Sequence, residues 1–432
     1  MAKASTIKAI RGMHDLLPPQ SHLWLAMEEK VRLVFQRFGF EEIRTPMVEA
    51  TELFSRSIGE ATEIISKEMY TFKDRKEKSL SLRPEGTAGV VRAALEGGLF
   101  AKSDGPIQKF YYLGPMFRYE RPQKGRQRQF YQFGVEVFGD SGPRMDAEVI
   151  ALGWMLIKEF GLEKNIRLEM NSLGDSTTRP KYLNALTEFF QKFKKDLCMD
   201  CHIRLQKNPM RILDCKVGKC IQMAQNAPVM MDFLDSESKN HFEEVATLLN
   251  LIDVPFEINP RIVRGLDYYT RTAFEFLTDD LGAKSAVIAG GRYDGLVEEL
   301  GGPKIPAIGF AAGMERWVML LEKLGWQKTK PIGSNVFVLG LGSKPSEFSF
   351  QFLQKLRQKG ISAVSDFRDK SLKAQLRQAD RLGTPWVVII GEDELANKKV
   401  VLKNMVKGDQ KEVPFQSPED LLKTLLKQME LG

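Results

Sequence analysis

A chain of 432 residues is too long for one compact core, and its 43% hydrophobic and 28% charged residues are an ordinary soluble composition divided over two or three domains. No apolar run approaches the roughly 20 residues of a membrane helix, and residues 1–30 carry no secretory segment, which excludes a membrane role and makes the cytoplasm the expected compartment. The formal charge is +7, and residues 327–432, with 18 Lys+Arg against 12 Asp+Glu, hold most of that excess. In chain order, Ser21 after Pro18-Pro19 is read as an N-cap. Leu23, Met27, Val31, Val34 and Phe38 follow at helical spacing, and Gly39 stops the helix. Strand patterns occupy 69–72 and 79–82 across a polar turn, then 107–113 and 129–138 on either side of the basic stretch Arg121–Arg128. Helices are expected at 87–96, stopped by Gly97-Gly98, and at 146–160, stopped by Gly161. Further strands lie near 166–171, 272–277, 285–289 and 306–310, before a helix at 313–324.

Consecutive strands joined by short turns imply an α+β domain, an antiparallel sheet with helices on one side. Residues 175–258 read differently: they are mostly helical, Lys-rich and carry all four cysteines, so they are taken as an inserted domain. The segment 327–334 reads as a linker. Beyond it, strands at 335–341, 361–367 and 385–391 alternate with helices at 346–359 and 371–382, the order of a small α/β domain over 335–432. The first domain then spans 1–326.

Four scattered histidines (His14, His22, His202, His241) offer neither a facial metal triad nor a Ser-His-Asp arrangement. The chemistry is therefore sought in arginines. Arg121, Lys124, Arg126 and Arg128 surround Gly125 between two strands, just after Phe117-Arg118-Tyr119-Glu120 and before Phe130. Gly309-Phe310-Ala311-Ala312-Gly313-Met314-Glu315-Arg316 puts another arginine at a helix start, where free backbone N–H groups favour a polyphosphate. Cys198-x₂-Cys201 and Cys215-x₄-Cys220 could hold zinc as a Cys₄ site. The second spacing is loose and the cysteines are read as remote from the chemistry, so free thiols are the expected state.

Thr45-Pro46, Phe117-Arg118-x-Glu120 through Phe130, and Gly313-x-Glu315-Arg316 together resemble the three ordered motifs of class II aminoacyl-tRNA synthetases. Four further segments resemble the hallmarks of the histidyl-tRNA synthetase family. They are Arg11-Gly12-Met13-x-Asp15-x-Leu17-Pro18, Leu82-Arg83-Pro84-Glu85-Gly86-Thr87, Arg264-Gly265-Leu266-Asp267-Tyr268-Tyr269-Thr270 and Ala289-Gly290-Gly291-Arg292-Tyr293-Asp294-Gly295. The resemblance covers essentially the whole chain.

It implies an ATP-dependent aminoacyl-tRNA ligase that takes L-histidine, ATP with Mg²⁺ and histidine tRNA, acts as a homodimer through the region of Pro46, and carries no catalytic protein-bound metal. Arg118 would hold the amino-acid carboxylate and the α-phosphate, with Arg126 and Arg316 at the β/γ end. Phe130 would stack on adenine and Glu120 would accept from its amino group. Glu85, Gly86, Thr87 and Gln132 would surround the ammonium. Arg264 would lie between carboxylate and α-phosphate, while Glu136 and Tyr268 or Tyr269 would take the two imidazole nitrogens. The basic domain 335–432 would read the anticodon, with Lys370, Lys373, Arg377 and Arg381 on one helix available to phosphates. The rival implied by the same family is an inactive paralogue serving as regulatory subunit of ATP phosphoribosyltransferase. Such paralogues lack the C-terminal domain and the catalytic arginines, whereas this chain has both. Two other rivals, a class II synthetase for another amino acid and a pure RNA-binding protein, fit the Arg264–Thr270 segment and the phosphate-binding arginines less well.

Overall fold

The apolar spacing from Leu23 to Phe35 folds as the helix Gln20–Arg37, which buries Leu23, Met27, Val31, Val34 and Phe35. Phe35 packs on Tyr111, Phe133 and Phe310 of the central sheet. The start differs from the expected one. Pro19 occupies the cap, and Ser21 lies inside the first turn with its N–H donating to the Leu17 carbonyl. A proline leaves no unpaired N–H at a helix start, so it rather than the serine sets the boundary. The computed structural model describes residues 6–59, 62, 64–100, 105–175, 177–282, 285–326, 335–368 and 370–430. The expected linker 327–334 lies outside them. The chain divides into two compact units, Met1–Lys328 and Thr329–Gly432.

The first unit is built on an eight-stranded sheet. Its six central strands run Gln108–Phe117, Gln129–Phe138, Ala307–Gly313, Ser285–Arg292, Thr270–Thr278 and Arg167–Ser172, each antiparallel to the next. Only the two-residue edges, Glu41–Glu42 and Glu257–Ile258, pair in parallel. Because strand side chains alternate between faces, Phe133, Val135, Phe274, Phe276 and Phe310 join one core with the helices Gln20–Arg37, Pro143–Glu159 and Met314–Lys323. Tyr112, Ala273 and Tyr293 belong to the opposite face, with the helix Thr87–Glu96 and the inserted segment. Helices therefore pack on both faces rather than on one side as expected, and those on the second face leave a cleft open over part of the sheet. Val48–Ala50, Ser79–Leu82 and Thr71–Lys73 form a separate small antiparallel sheet beside it.

The segment between Ser172 and Glu257 supplies the helices Arg179–Gln191, Met199–Lys207, Gly218–Ala224 and Ser236–Leu251. The first three share their buried cluster with the cleft face, and the fourth packs Phe242, Val245 and Leu249 into the helix-covered core. The second unit has a five-stranded sheet: Ala363–Val364, Val336–Leu341 and Trp386–Gly391 in parallel, then Lys399–Asn404 and Gln410–Pro414 antiparallel. Its central strands are buried on both faces between the helices Ser343–Gln358, Leu372–Arg381 and Pro418–Glu430, which is why they read as continuous apolar runs.

Candidate active site

On its open face the sheet floors a cleft of about 400 Å³. Glu85 stands at the start of the helix Thr87–Glu96, where its carboxylate accepts the Thr87 and Ala88 N–H groups at 2.6 and 2.8 Å. These are two of the donors that a helix start leaves unpaired, so the acid is held rigidly while facing the cleft. Thr87 in turn donates its hydroxyl to Glu136 at 2.6 Å, and the Tyr293 hydroxyl donates to the other Glu136 oxygen. Burial, with the Glu85 carboxyl pushing the same way, lifts the Glu136 carboxyl to about 8 against those two bonds. Glu136 is 1% exposed and sits beneath the lining rather than in it. Gly309 makes the room, since a Cβ there would come within 2.1 Å of Glu136 Oε2. Gly86 also lies outside the lining. It is a glycine because a Cβ would meet the Tyr112 ring at 2.4 Å. Gln132, Tyr268 and Tyr269 complete this end, the two tyrosine rings 4.7 Å apart.

At the other end Arg118, Arg126, Arg264 and Arg316 converge with Glu120 and Phe130. Each arginine is aimed by part of its fork. Arg118 Nε donates to the Pro84 carbonyl at 2.9 Å and its guanidinium lies 5.2 Å from the Phe130 ring centroid. Arg126 is 3.4 Å from Glu120, at a turn built on Gly125 at φ +72°. Arg264 donates to Glu275 at 2.5 Å and lies 4.9 Å from the Tyr269 ring. Arg316 donates to the Ala286 carbonyl at 2.6 Å. Burial lowers the Arg316 pKa, and the like charges of Arg126 and Arg118 push it the same way, as expected where cations await an anion. Beside it Glu315, accepting the Tyr131 N–H at 2.9 Å, is pushed up to about 7 by burial.

The structure therefore brings Glu85, Thr87, Arg118, Glu120, Arg126, Phe130, Gln132, Arg264, Tyr268, Tyr269 and Arg316 into one cleft, with Glu136 and Gly86 just behind it. Some prominent segments turn out to build rather than to line. Arg292 is fully buried, bonded to Asp146 at 2.8 Å and Asp294 at 2.7 Å, and His241 closes on the same Asp146. Arg83 bonds the Thr45 and Pro115 carbonyls, tying the Thr45-Pro46 segment to the hairpin. The Gly12 carbonyl accepts from Arg128 and Gln129, anchoring the N-terminal segment on the same hairpin.

The sequence reading missed the contribution of the inserted segment. Arg204, Arg211, Asp214 and Lys216 line the cleft, and Arg179 donates to the Tyr269 carbonyl. The cysteines themselves stay outside the cleft lining, but the stretch between them does not: Arg211 of that stretch holds the turn that carries Arg264. Its loop spacing gives no periodic signal, and no motif flagged those residues.

An antiparallel sheet that brings an arginine hairpin, Phe130 and a helix-start arginine to one cleft is the arrangement of a class II aminoacyl-tRNA synthetase. A histidyl-tRNA synthetase family profile matches residues 12–176 and 213–317, and an anticodon-binding-domain profile matches 335–425. The histidine–tRNA ligase of Geobacillus sp. (strain WCH70) is 47% identical over 418 residues, 96% of this chain and 98% of that one. The solved apo histidyl-tRNA synthetase of S. aureus superposes with a TM-score of 0.81 at 39% identity, covering 95% of this chain and 97% of that one. A Bacillus halodurans structure described as an ATP phosphoribosyltransferase regulatory subunit/histidyl-tRNA synthetase shares the fold alone, at 18% identity, TM-score 0.65 and coverage of 90% and 100%. The chain belongs to the histidyl-tRNA synthetase family.

Proposed function

We infer that the chain is a histidine–tRNA ligase that first activates L-histidine with ATP and then transfers it to the 3′ end of histidine tRNA. The observation that carries this reading is the placement, in one cleft, of a hydrogen-bonding pocket over Glu136 beside an arginine cluster suited to a nucleoside triphosphate. In the first step a histidine carboxylate oxygen attacks the α-phosphorus, the bond to the bridging oxygen breaks, and pyrophosphate leaves with the electron pair. Negative charge grows on the α-phosphate, so positioned cations matter more than an acid–base pair.

Arg118 and Arg264 serve that phosphate and the carboxylate. Arg126 and Arg316 hold the β/γ end, where Mg²⁺ accompanies ATP. Planar forks that stay charged suit all four positions. Phe130 stacks on adenine and Glu120 accepts from its amino group. Glu85, Thr87 and Gln132 receive the ammonium, with the Gly86 backbone at the helix start. Glu136 and Tyr268 or Tyr269 read the imidazole, and a site made of hydrogen bonds can reject analogues lacking them by about 10⁴-fold. A metal at the four cysteines would touch neither substrate in these steps. The unit containing residues 335–432 reads the anticodon, and the chain works in the cytoplasm as a homodimer joined near Pro46, for which sedimentation at micromolar concentration is the check.

Amino-acid-dependent exchange of pyrophosphate into ATP, run with each of the twenty amino acids, tests the main reading. Exchange with histidine alone is expected. Exchange with another amino acid, or none with any, would overturn it, and the latter would favour the regulatory paralogue.

A further inference from the structure

The four cysteines, spread over 23 residues of sequence, meet at one point. Their Sγ atoms all lie within 4.8 Å of one another. Cys198 Sγ and Cys215 Sγ are 3.8 Å apart, which is the edge of a tetrahedron whose centre lies about 2.3 Å from each sulfur, the zinc–thiolate distance. Bonded sulfurs would stand about 2.05 Å apart. Cys198 caps the helix Met199–Lys207, Cys201 lies in its first turn, Cys215 follows the short helix Pro209–Ile212 and Cys220 opens Gly218–Ala224. Two backbone N–H groups aim at sulfur: that of Cys198 at Cys220 Sγ, 3.4 Å, and that of Val217 at Cys215 Sγ, 3.5 Å. Outer hydrogen bonds of this kind orient and support metal-ligating side chains. Cys201, Cys215 and Cys220 are buried.

We propose that Cys198, Cys201, Cys215 and Cys220 bind one structural Zn²⁺, and that this ion fixes the loop that braces the histidine-binding turn. A closed set of four thiolates suits a structural ion, because no position is left for water or substrate. Soft sulfur ligands in a tetrahedron select zinc or iron, and sulfurs this close fit a single ion rather than a four-iron cube.

The second half of the proposal follows from what lies between the cysteine pairs. Asn208 and Arg211 both donate to Asp267 Oδ1, at 3.0 and 2.9 Å, and Arg211 also donates to the Gly265 carbonyl at 2.8 Å. Gly265 and Asp267 belong to the turn that carries Arg264, Tyr268 and Tyr269. Arg204, Arg211 and Asp214 of the same loop, and Lys216 just after it, line the cleft itself. The peptide from Cys201 to Cys215 is a closed loop whose ends the ion would pin, so its two bracing side chains stay in register with Asp267. Arg211 and Asn208 are thus positioning residues, acting on histidine through the Gly265–Asp267 turn.

The test uses the purified full-length chain. Metal analysis after dialysis should find about one zinc per chain. Refolding with Co²⁺ should give the visible absorption of a tetrahedral thiolate site. A Cys201→Ser/Cys220→Ser double variant should lose the zinc and raise the KM for histidine in pyrophosphate exchange at least tenfold, with the KM for ATP within threefold of the parent. Arg211→Ala should reproduce that KM split while keeping the zinc, which separates bracing from folding if the cysteine variant proves insoluble. Zinc-free protein with four titratable thiols, or with disulfides, would overturn the site, and a bound iron would overturn its assignment to zinc. Equal changes in both KM values, or none, would overturn the bracing role. The metal content does not depend on the ligase reading: a zinc-bearing chain that activates another amino acid would refute that reading and leave the site standing.

Discussion

Replacing Glu136 by glutamine probes the histidine end through two separate readouts. Burial, reinforced by Glu85, holds this carboxyl at about 8, whereas its ordinary value is 4.5. Between those values the folded chain keeps a proton that the unfolded chain has lost. A raised folded pKa contributes stability that is complete below the unfolded value and is lost as pH rises through the folded one. The full difference is about 5 kcal/mol, and the part lost between pH 6 and pH 8 integrates to roughly 2 kcal/mol. Glutamine is neutral throughout and keeps the shape, so E136Q should not lose that part. Urea unfolding of both proteins at pH 6 and pH 8 measures the difference, and wild type should lose about 2 kcal/mol more than the variant.

Binding gives the second readout. An imidazole N–H is best met by the carboxylate, so wild-type affinity for histidine should rise about fivefold from pH 7 to pH 8 as Glu136 ionises. The variant should bind histidine more weakly and without that rise, while its ATP affinity is unchanged. Parallel unfolding curves, together with equal weakening for both substrates, would refute the reasoning: Glu136 would then be a packed structural acid.

Arg264→Ala should slow single-turnover adenylate formation about a hundredfold, about 3 kcal/mol, while leaving ATP affinity near wild type, because its charge matters most as the α-phosphate becomes more negative. A rate within threefold of wild type would remove it from the chemistry. Gly309→Ala places a methyl 2.1 Å from Glu136 Oε2 and 2.3 Å from the Val135 carbonyl, so histidine KM should rise at least tenfold, whereas ATP KM should not. Unchanged kinetics in a folded variant would show that the strand shifts freely. Truncation after residue 326 should leave histidine-dependent exchange measurable and sharply lower tRNA charging. Full charging with an unchanged salt dependence would assign residues 335–432 another role.

The strands and helices of the sheet domain were legible because each carries a clean period. Thr87–Glu96 and Gln129–Phe138 matched their expected bounds, and the first hairpin strand, Gln108–Phe117, runs four residues further toward the arginine loop than expected. In the second unit the hairpin Lys399–Asn404 with Gln410–Pro414 and the helix Pro418–Glu430 went unread. Lys399, Lys403 and Glu412 put charges on the face opposite the buried Val400, Leu402 and Val413, and the exposed Lys411 interrupts the apolar face, which hides the alternation behind a polar composition. The cleft lining was legible where the resemblance to the class II motifs pointed to a residue, as with Arg118, Phe130 and Arg316. It was not legible where the residue works through a partner distant in sequence. Asn208 and Arg211 reach Asp267 across more than fifty positions, and nothing local marks them. The converse also holds. Arg292 and Arg83 sit in the most recognisable segments, yet their forks are spent on Asp146, Thr45 and Pro115 inside the protein.

Charge explains why the cleft is arranged as it is. Arg316 is held among Arg118 and Arg126, and Glu136 and Glu315 are held where water cannot solvate them. Each arrangement opposes folding, since each moves a pKa against the charged state, and the rest of the core must offset it. The same strain gives the substrates their leverage. On the proposed reading, phosphate oxygens would relieve the like charge among the arginines, and an imidazole N–H would relieve the buried acid. Neighbouring pairs such as Arg264–Glu275 keep the forks aimed until then. A site that is uncomfortable when empty, and rigid because its hydrogen bonds reach into helix starts and strand carbonyls, would on that reading bind the charge that develops during reaction without having to rearrange.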